Sequence, residues 1–306
     1  MHSSTGRARW FAVSILALGV LAVSTSAILI RLTLETVTET GIGFSLVISA
    51  ARLVVASTIL LPTWRQVQGT THQPGAIAYS AIAGVLLAGH FASWTTSLSF
   101  TSIAASTTLV TTNPVWVALI SWLWLRERPS TKTLLGIAIT IAGSLFIGLA
   151  DSGSSTMSQQ PVLGNSLALT GAVTASGYFL LGREAQRRGL PIQQHAAIAY
   201  TVAALTLLPL PIFLESSYVG YPALTYGYIV LMAIVPQLIG HTSLNWAVHH
   251  ISPTIVTLTI LLEPIGASLL GYALFREAAG SNVLAGAVII IIGVAIAVTG
   301  QSSPST

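Results

Sequence analysis

Apolar residues gather along this 306-residue chain in about ten long blocks, at 10–31, 43–64, 76–98, 102–125, 132–150, 164–182, 195–214, 226–248, 253–275 and 282–300, with short polar stretches between them. Each block is close to the roughly 20 residues a helix needs to cross the hydrocarbon core of a bilayer. The pattern therefore predicts an all-α polytopic membrane protein with ten transmembrane helices. Arg7 and Arg9 precede the first block as they would a signal peptide, and Ser24 and Ser26 offer small residues for cleavage. The block is too long for such a leader and nine more follow it, so it reads as an uncleaved first helix. Only 151–163, DSGSSTMSQQPVL, has the composition of a linker.

That linker divides two copies of one pattern. Asn113-Pro114 opens a run that ends Leu125-Arg126-Glu127; 150 positions on, Glu263-Pro264 opens a run that ends Phe275-Arg276-Glu277. The same shift carries Gly136 and Gly143 onto Gly286 and Gly293, Leu134 onto Leu284 and Ile139 onto Ile289. A repeat on this scale governs the fold. It divides the chain into residues 1–151 and 152–306, each with five helices. Five is odd, so the second half enters the membrane in the opposite sense. Two inverted five-helix repeats around a central cavity are the plan of a secondary transporter, with its site between the halves.

Composition removes the soluble alternative. Only 7% of residues are charged and mean hydropathy is +0.80, whereas a soluble domain carries roughly 25% charged residues. A net charge of +4 would hint at nucleic acid in a soluble protein, but these basic residues sit in short loops and read as topology. Arg7, Arg9, Arg65, Arg126, Arg128, Lys132, Arg183, Arg187 and Arg188 fall on one side of the membrane; Arg31 and Arg276 fall on the other. The positive-inside bias places both termini in the cytoplasm and the chain in the cytoplasmic (inner) membrane. Zero cysteines exclude disulfides, thiolate metal sites and a cysteine nucleophile.

The fourth and ninth blocks read SIAASTTLVTTNPVWVALISWLWLRE and SPTIVTLTILLEPIGASLLGYALFRE, the fifth and tenth contain LLGIAITIAGSLF and LAGAVIIIIGVAI, and the second carries an arginine in SAARLVVAS. In these motifs, over nearly its whole length, the chain resembles the ten-helix EamA-type family of the drug/metabolite transporter superfamily. The resemblance implies a basket of helices around a central cavity, lined mainly by the first, third, fourth, sixth, eighth and ninth spans. It implies a structural role for Arg52, and amino acids or related compounds as the leading exported cargo. It also implies no ATP site; the only lysine, Lys132, follows no glycine-rich loop.

Polar side chains inside the blocks are the candidates for chemistry. Glu263 lies near the middle of the ninth block, where a carboxylate costs about 3 kcal/mol on insertion scales and so faces protein or water. It suits a proton carrier or a partner for a substrate ammonium; the plainer role is a bond to a neighbouring helix. Asn113 holds the matching place in the first half. Pro114 and Pro264 each free a carbonyl one turn back and make hinges. Gln237, His241 and Asn245 are spaced by four and form one inward stripe. His90 and Trp94 repeat that spacing in the third block. His90 and His241 fall on opposite sides of the midplane and, with Glu263, are the candidates for proton coupling. Trp94 offers a face to a flat or cationic substrate, or simply packs. Thr111 and Tyr178 complete the candidate lining, although such hydroxyls also bond back to their own helices. Arg52, a permanent cation inside the second block, needs a partner. The paired glycines read as packing seams.

Other classes fit poorly. The one aspartate, Asp151, lies in a loop, and neither H-E-x-x-H nor G-x-S-x-G occurs, which argues against an intramembrane enzyme. The histidines form no metal-ligand cluster within a helix turn. A channel needs a continuous lined pore, often with rings of charge. The chain therefore reads as a secondary transporter whose partners are a small-molecule substrate and the lipid bilayer, with no nucleic acid, metal or cofactor. A channel or facilitator is the alternative. The mixed lining of His, Gln, Asn, Glu and Trp suits a zwitterion or a small polar-aromatic molecule.

Overall fold

The computed structural model describes residues 2–37, 41–69, 71–126, 129–151, 160–244, 260 and 262–300, and among them every regular element is helical. The helices are α1 (His2–Leu34), α2 (Ile42–Ile59), α3 (Thr63–Gly69), α4 (Ala76–Ser97), α5 (Ile103–Val110), α6 (Asn113–Leu125), α7 (Thr131–Asp151), α8 (Pro161–Arg187), α9 (Ile192–Leu207), α10 (Leu210–Phe213), α11 (Ala223–Met232), α12 (Glu263–Phe275) and α13 (Ser281–Gly300). A π-helical stretch, Ala233–Gly240, continues α11.

Among the described residues, six stretches are long and apolar enough to cross a membrane: Ser14–Leu34, Ile42–Ile59, Ala76–Ser97, Ile103–Trp124, Ile192–Phe213 and Ala223–Leu244. Shorter apolar stretches occur at Thr131–Ile147 and Ser281–Ala297. α8 has the length, at 27 residues, but Gly, Ser, Thr and Asn dilute its apolar character. Much of the ninth block, and residues 152–159 of the linker, lie outside the described residues.

Prolines explain where blocks and helices differ. A proline lacks the N–H that would bond the carbonyl four residues back. The second block ends early, at Ile59, and α3 begins beyond Pro62. The fourth block is two helices, α5 and α6, separated at Thr111-Thr112 because Pro114 cannot donate to Val110. The seventh breaks at Pro209, and Pro236 lies within the π-helical stretch.

The sequence repeat reappears in the backbone. α6 and α12 are each 13 residues long, and their C-caps, Arg126 (φ 56°, ψ 22°) and Arg276 (φ 57°, ψ 22°), share a left-handed conformation. A non-glycine residue rarely adopts it, so its recurrence at the same place in both copies is specific. The expected glycine seams face each other across α7 and α13. A Cβ on Gly136 would collide with the Ala297 amide and lie 2.5 Å from the Gly293 carbonyl; one on Gly293 would lie 2.7 Å from the Thr140 amide.

The main core takes residues from both halves, including Ala27, Ile30, Ile48, Leu53, Phe91, Ile103, Met232 and Ala267. α1 contributes to it from Ala27 through Leu34, so the first helix is a structural part of the bundle. Large apolar side chains such as Leu123, Phe213 and Leu269 are instead turned outward, as lipid contact requires.

Candidate substrate site

The centre of the bundle is built on Arg52. It is fully buried, with 0% of its surface exposed. Its Nη2 donates to Gln237 Oε1 at 2.7 Å and its Nη1 to Ser26 Oγ at 3.4 Å. The guanidinium lies over the Phe91 ring, 4.2 Å from the centroid. The Tyr200 hydroxyl bonds the Gln237 side chain. Five elements thus meet at one cation: α1, α2, α4, α9 and the π-helical stretch. No carboxylate joins them among the described residues. Sequence reading missed Tyr200 and Phe91; nothing in the spacing of either singles it out.

Gln237 departs from its expected place in the stripe. The four-residue spacing assumes an α-helix, but Gln237 lies in the π-helical stretch, where the turn is wider. It is 1% exposed and committed to Arg52. His241, beyond the stretch, is half-buried and close enough to Arg52 and His90 for their charges to act on it. Asn245 lies outside the described residues.

His90 and Trp94 do form a unit. Their rings stack at 5.7 Å with an interplanar angle of 18°. His90 Nδ1 donates to the Gly171 carbonyl at 2.9 Å, which leaves Nε2 as an acceptor when the ring is neutral. Trp94 is 4% exposed, yet its Nε1 has no partner among the described residues. Tyr178 stacks on His195 at 5.5 Å and packs against the core that holds Phe91, Trp94 and Tyr200. Thr111 is buried and donates to the Thr107 and Thr108 carbonyls at 3.0 Å, the plainer of its two roles.

Asn113 and Glu263 begin α6 and α12. The Asn113 carbonyl accepts from Ser176 Oγ at 3.0 Å, while its side-chain Oδ1 has no partner among the described residues. The Glu263 carbonyl accepts from Ser24 Oγ at 3.5 Å. Its half-buried carboxylate has no hydrogen bond or ion pair among the described residues. Pro114 and Pro264 each occupy the first turn that follows, a position where the missing N–H costs nothing.

A polar cluster ties several helix ends together. Glu277 Oε1 accepts from the Ile103 N–H at 2.7 Å, and Oε2 forms an ion pair with Arg31 Nη1 at 3.5 Å. Arg31 Nη2 donates to the Thr101 carbonyl at 3.0 Å, and Thr101 Oγ1 donates to Asn165 Oδ1 at 2.8 Å. This cluster joins α1, the start of α5, the start of α8 and the segment after α12. In the sequence Arg31 appeared only as a loop charge and Glu277 only as the end of a repeated run.

Comparison with known proteins gives the family. The family model described as the EamA-like transporter family matches residues 10–149 and again residues 162–299. An uncharacterized transporter, YyaM, of Bacillus subtilis (strain 168) is 24% identical over 224 residues, 72% of this chain and 72% of its own. An uncharacterized transporter of Synechocystis is 26% identical over 212 residues, 69% of this chain and 63% of its own. Another, from Archaeoglobus fulgidus, is 25% identical over 206 residues, 67% of this chain and 71% of its own. A solved crystal structure superposes with a TM-score of 0.60 over 94% of this chain and 96% of that one, at 19% identity, which is a likeness of fold.

Proposed function

The chain belongs to the EamA-like transporter family of the drug/metabolite transporter superfamily, and on that footing we propose that it is a secondary transporter that moves small metabolites across the cytoplasmic membrane by alternating access, exporting amino acids or related compounds. Membership makes it a membrane transporter rather than an enzyme. The alternating-access mechanism is argued from the geometry of the site, and the amino-acid cargo from the family resemblance.

One observation carries the alternating-access reading. Ser24 of α1, whose shorter bond is to the Val20 carbonyl at 2.9 Å, also approaches the Glu263 carbonyl at 3.5 Å, and Ser176 of α8, bonded to the Ala172 carbonyl at 2.7 Å, also approaches the Asn113 carbonyl at 3.0 Å. Asn113 and Glu263 are 150 positions apart; Ser24 and Ser176 are 152 apart, a shift that also relates Ser14 to Ser166, Gly19 to Gly171 and Arg31 to Arg183. The contact between first and ninth spans therefore has a counterpart between sixth and fourth. Gly19 approaches Ser243 and Leu244 as Gly171 approaches Trp94. This exchange of partners supports ten spans in two inverted halves related by an axis in the membrane plane. Such an axis allows two equivalent states, each open to one side.

The same exchange supplies a seal for the other end. Glu277, Arg31 and Ile103 correspond to Glu127, Arg183 and Pro253. Glu127 and Pro253 lie outside the described residues, and Arg183 is exposed. The present state is closed at the Arg31–Glu277 end, which the positive-inside bias makes external. In the opposite state Glu127 and Arg183 close the cytoplasmic end. Pro253 has no N–H, so that seal lacks the bond Glu277 receives from Ile103. Within the cycle Glu263, His90 and His241 are the groups for proton coupling, Trp94 offers a stacking face, and Pro114 and Pro264 mark the hinges.

Counterflow of radiolabelled amino acids and their analogues in proteoliposomes tests the function. A carrier gives saturable uptake that internal unlabelled cargo accelerates; flux that neither saturates nor counterflows would make the protein a channel. Alkaline phosphatase fused near Ser155 should be active and at the C-terminus inactive. The reverse refutes the orientation, and equal activity at both refutes an odd number of spans per half.

A further inference from the structure

Only two charged residues fall in the interior of the apolar blocks, Arg52 and Glu263. They do not pair. Among the described residues the ion pairs are Arg31 with Glu277 and Arg188 with Glu184. Yet the two lie at one depth. Arg52 reaches α1 at Ser26 and the Glu263 carbonyl reaches it at Ser24, two residues or about 3 Å along the axis.

A structural role accounts poorly for Arg52. Removing a guanidinium from water costs several kcal/mol, and an apolar residue of similar volume often holds helices together as well or better. Its partners, a carboxamide and a hydroxyl, supply dipoles and no counter-charge. Two buried donors in this part of the bundle have no acceptor among the described residues: Arg52 Nε itself, and Trp94 Nε1, on the same helix as the Phe91 ring that carries the guanidinium. The local demand is for acceptors and negative charge. A carboxylate brings both, since it accepts at two oxygens and matches the guanidinium fork. The partner now in place, Gln237, sits in a π-helical stretch, a distortion frequent at functional sites.

We propose that Arg52 is the anchor for the carboxylate of the transported molecule, with Gln237 Oε1 holding the guanidinium until cargo displaces it. This rests on the transporter reading and names the group the site recognises. Glu263, unpaired at the same depth, receives the cationic end, so the cargo class is the zwitterion.

The test is Gln237→Glu, which gives Arg52 a permanent internal carboxylate at the position of Oε1. Purified protein is heated in detergent with acetate, isovalerate and 3-phenylpropionate, and with the amide and amine matched to each. Wild type should be stabilised by at least one carboxylate and not by its amide or amine. In Gln237→Glu the melting temperature without ligand should equal or exceed that of wild type, while apparent carboxylate affinity falls about tenfold or more. Arg52→Lys, which keeps the charge but loses the fork, should weaken carboxylate binding without abolishing it. Equal carboxylate binding in wild type and Gln237→Glu, or no carboxylate effect in wild type, overturns the proposal. Counterflow separates this from the parent reading. Wild type that binds carboxylates but shows no counterflow removes the transporter reading and leaves the anchor. Counterflow of an amine or amide, undiminished in Gln237→Glu, removes the anchor and leaves the transporter.

Discussion

In the proposed alternating-access cycle Glu277 closes one end of the bundle, and neutralising it should open that end by a calculable amount. In Glu277→Gln the amide oxygen still accepts from the Ile103 N–H, 2.7 Å away in the native protein, but without charge. A hydrogen bond to a charged group contributes about 1.5–3 kcal/mol and a neutral one about 0.5–1.5, so about 1 kcal/mol is lost. The 3.5 Å pair with Arg31 is lost outright. Both side chains are mostly buried, at 16% and 10% exposed, but the pair lacks hydrogen-bond geometry, so about 0.5–1 kcal/mol is fair. A few tenths more come from removing a negative charge at the N-terminus of α5. The sum, about 2 kcal/mol, moves the closed-to-open ratio by about 30-fold.

The assay uses the absence of native cysteine. Ser97 is 0% exposed in the last turn of α4, where its hydroxyl meets Ser106 on α5, and Ser97→Cys preserves its shape. A charged methanethiosulfonate reagent reaches that thiol only when the seal parts. Its labelling rate should rise about 30-fold when Glu277→Gln is added, while the melting temperature stays near that of the single variant. Glu127→Gln, at the opposite seal, should leave the rate unchanged or lower it. An unchanged rate in Glu277→Gln would refute the seal. An equal rise in both variants would mean general loosening, and the exchange of seals would be wrong.

Three further outcomes follow from other parts of the molecule. Gly136→Leu drives a side chain into the Ala297 backbone and should cost about 1–3 kcal/mol by overpacking, read as a fall in melting temperature that Leu134→Ala on the exposed face does not produce. Burial pushes the Tyr218 hydroxyl, which donates to the Leu208 carbonyl at 2.8 Å, up to about 12. The folded state then holds this proton more tightly than the unfolded state, so the contribution is full below about pH 10 and lost as pH rises through about 12; Tyr218→Phe should flatten that part of the alkaline stability curve. If Glu263 carries the coupled proton, a well-folded Glu263→Gln should lose pH-driven transport and keep substrate exchange; if it holds the cargo ammonium, both should fall and affinity weaken, and unchanged pH dependence and affinity would exclude both roles.

The sequence exposed whatever recurs with a fixed period. The paired blocks, the proline positions and the facing glycines needed only pattern and spacing. The hub of the site was less legible, because Arg52 and Gln237 are 185 positions apart and no periodicity links a residue on one helix to its partner on another. The stripe of Gln237, His241 and Asn245 was read with α-helical geometry. That geometry fails where Pro236 sits within a π-helical stretch, so Gln237 is turned to the guanidinium. Glu277 was readable in principle, since an Arg-Glu pair ends both runs; its acceptor role depends on how close α5 comes to the end of α12, which packing alone decides.

The differences between the copies carry as much information as the repeat. A residue the scaffold needs should occur in both halves, because each half meets the same packing problem. Ser24 and Ser176, the glycine pairs, the two left-handed arginines and the prolines all do. Arg52 does not: the block 195–214, which is the second one counted within its own half, contains no charged residue. Nor does Glu263, whose counterpart is the neutral Asn113. Since one half folds without each of these charges, the fold does not require them, and no counter-charge among the described residues offsets their burial. A transport cycle supplies one only when something with complementary charge occupies the centre. A molecule carrying one negative and one positive group does this at both ends at once, stabilising the occupied centre relative to the empty one. In the proposed cycle, that differential is what allows cargo to shift the balance between the two sealed states.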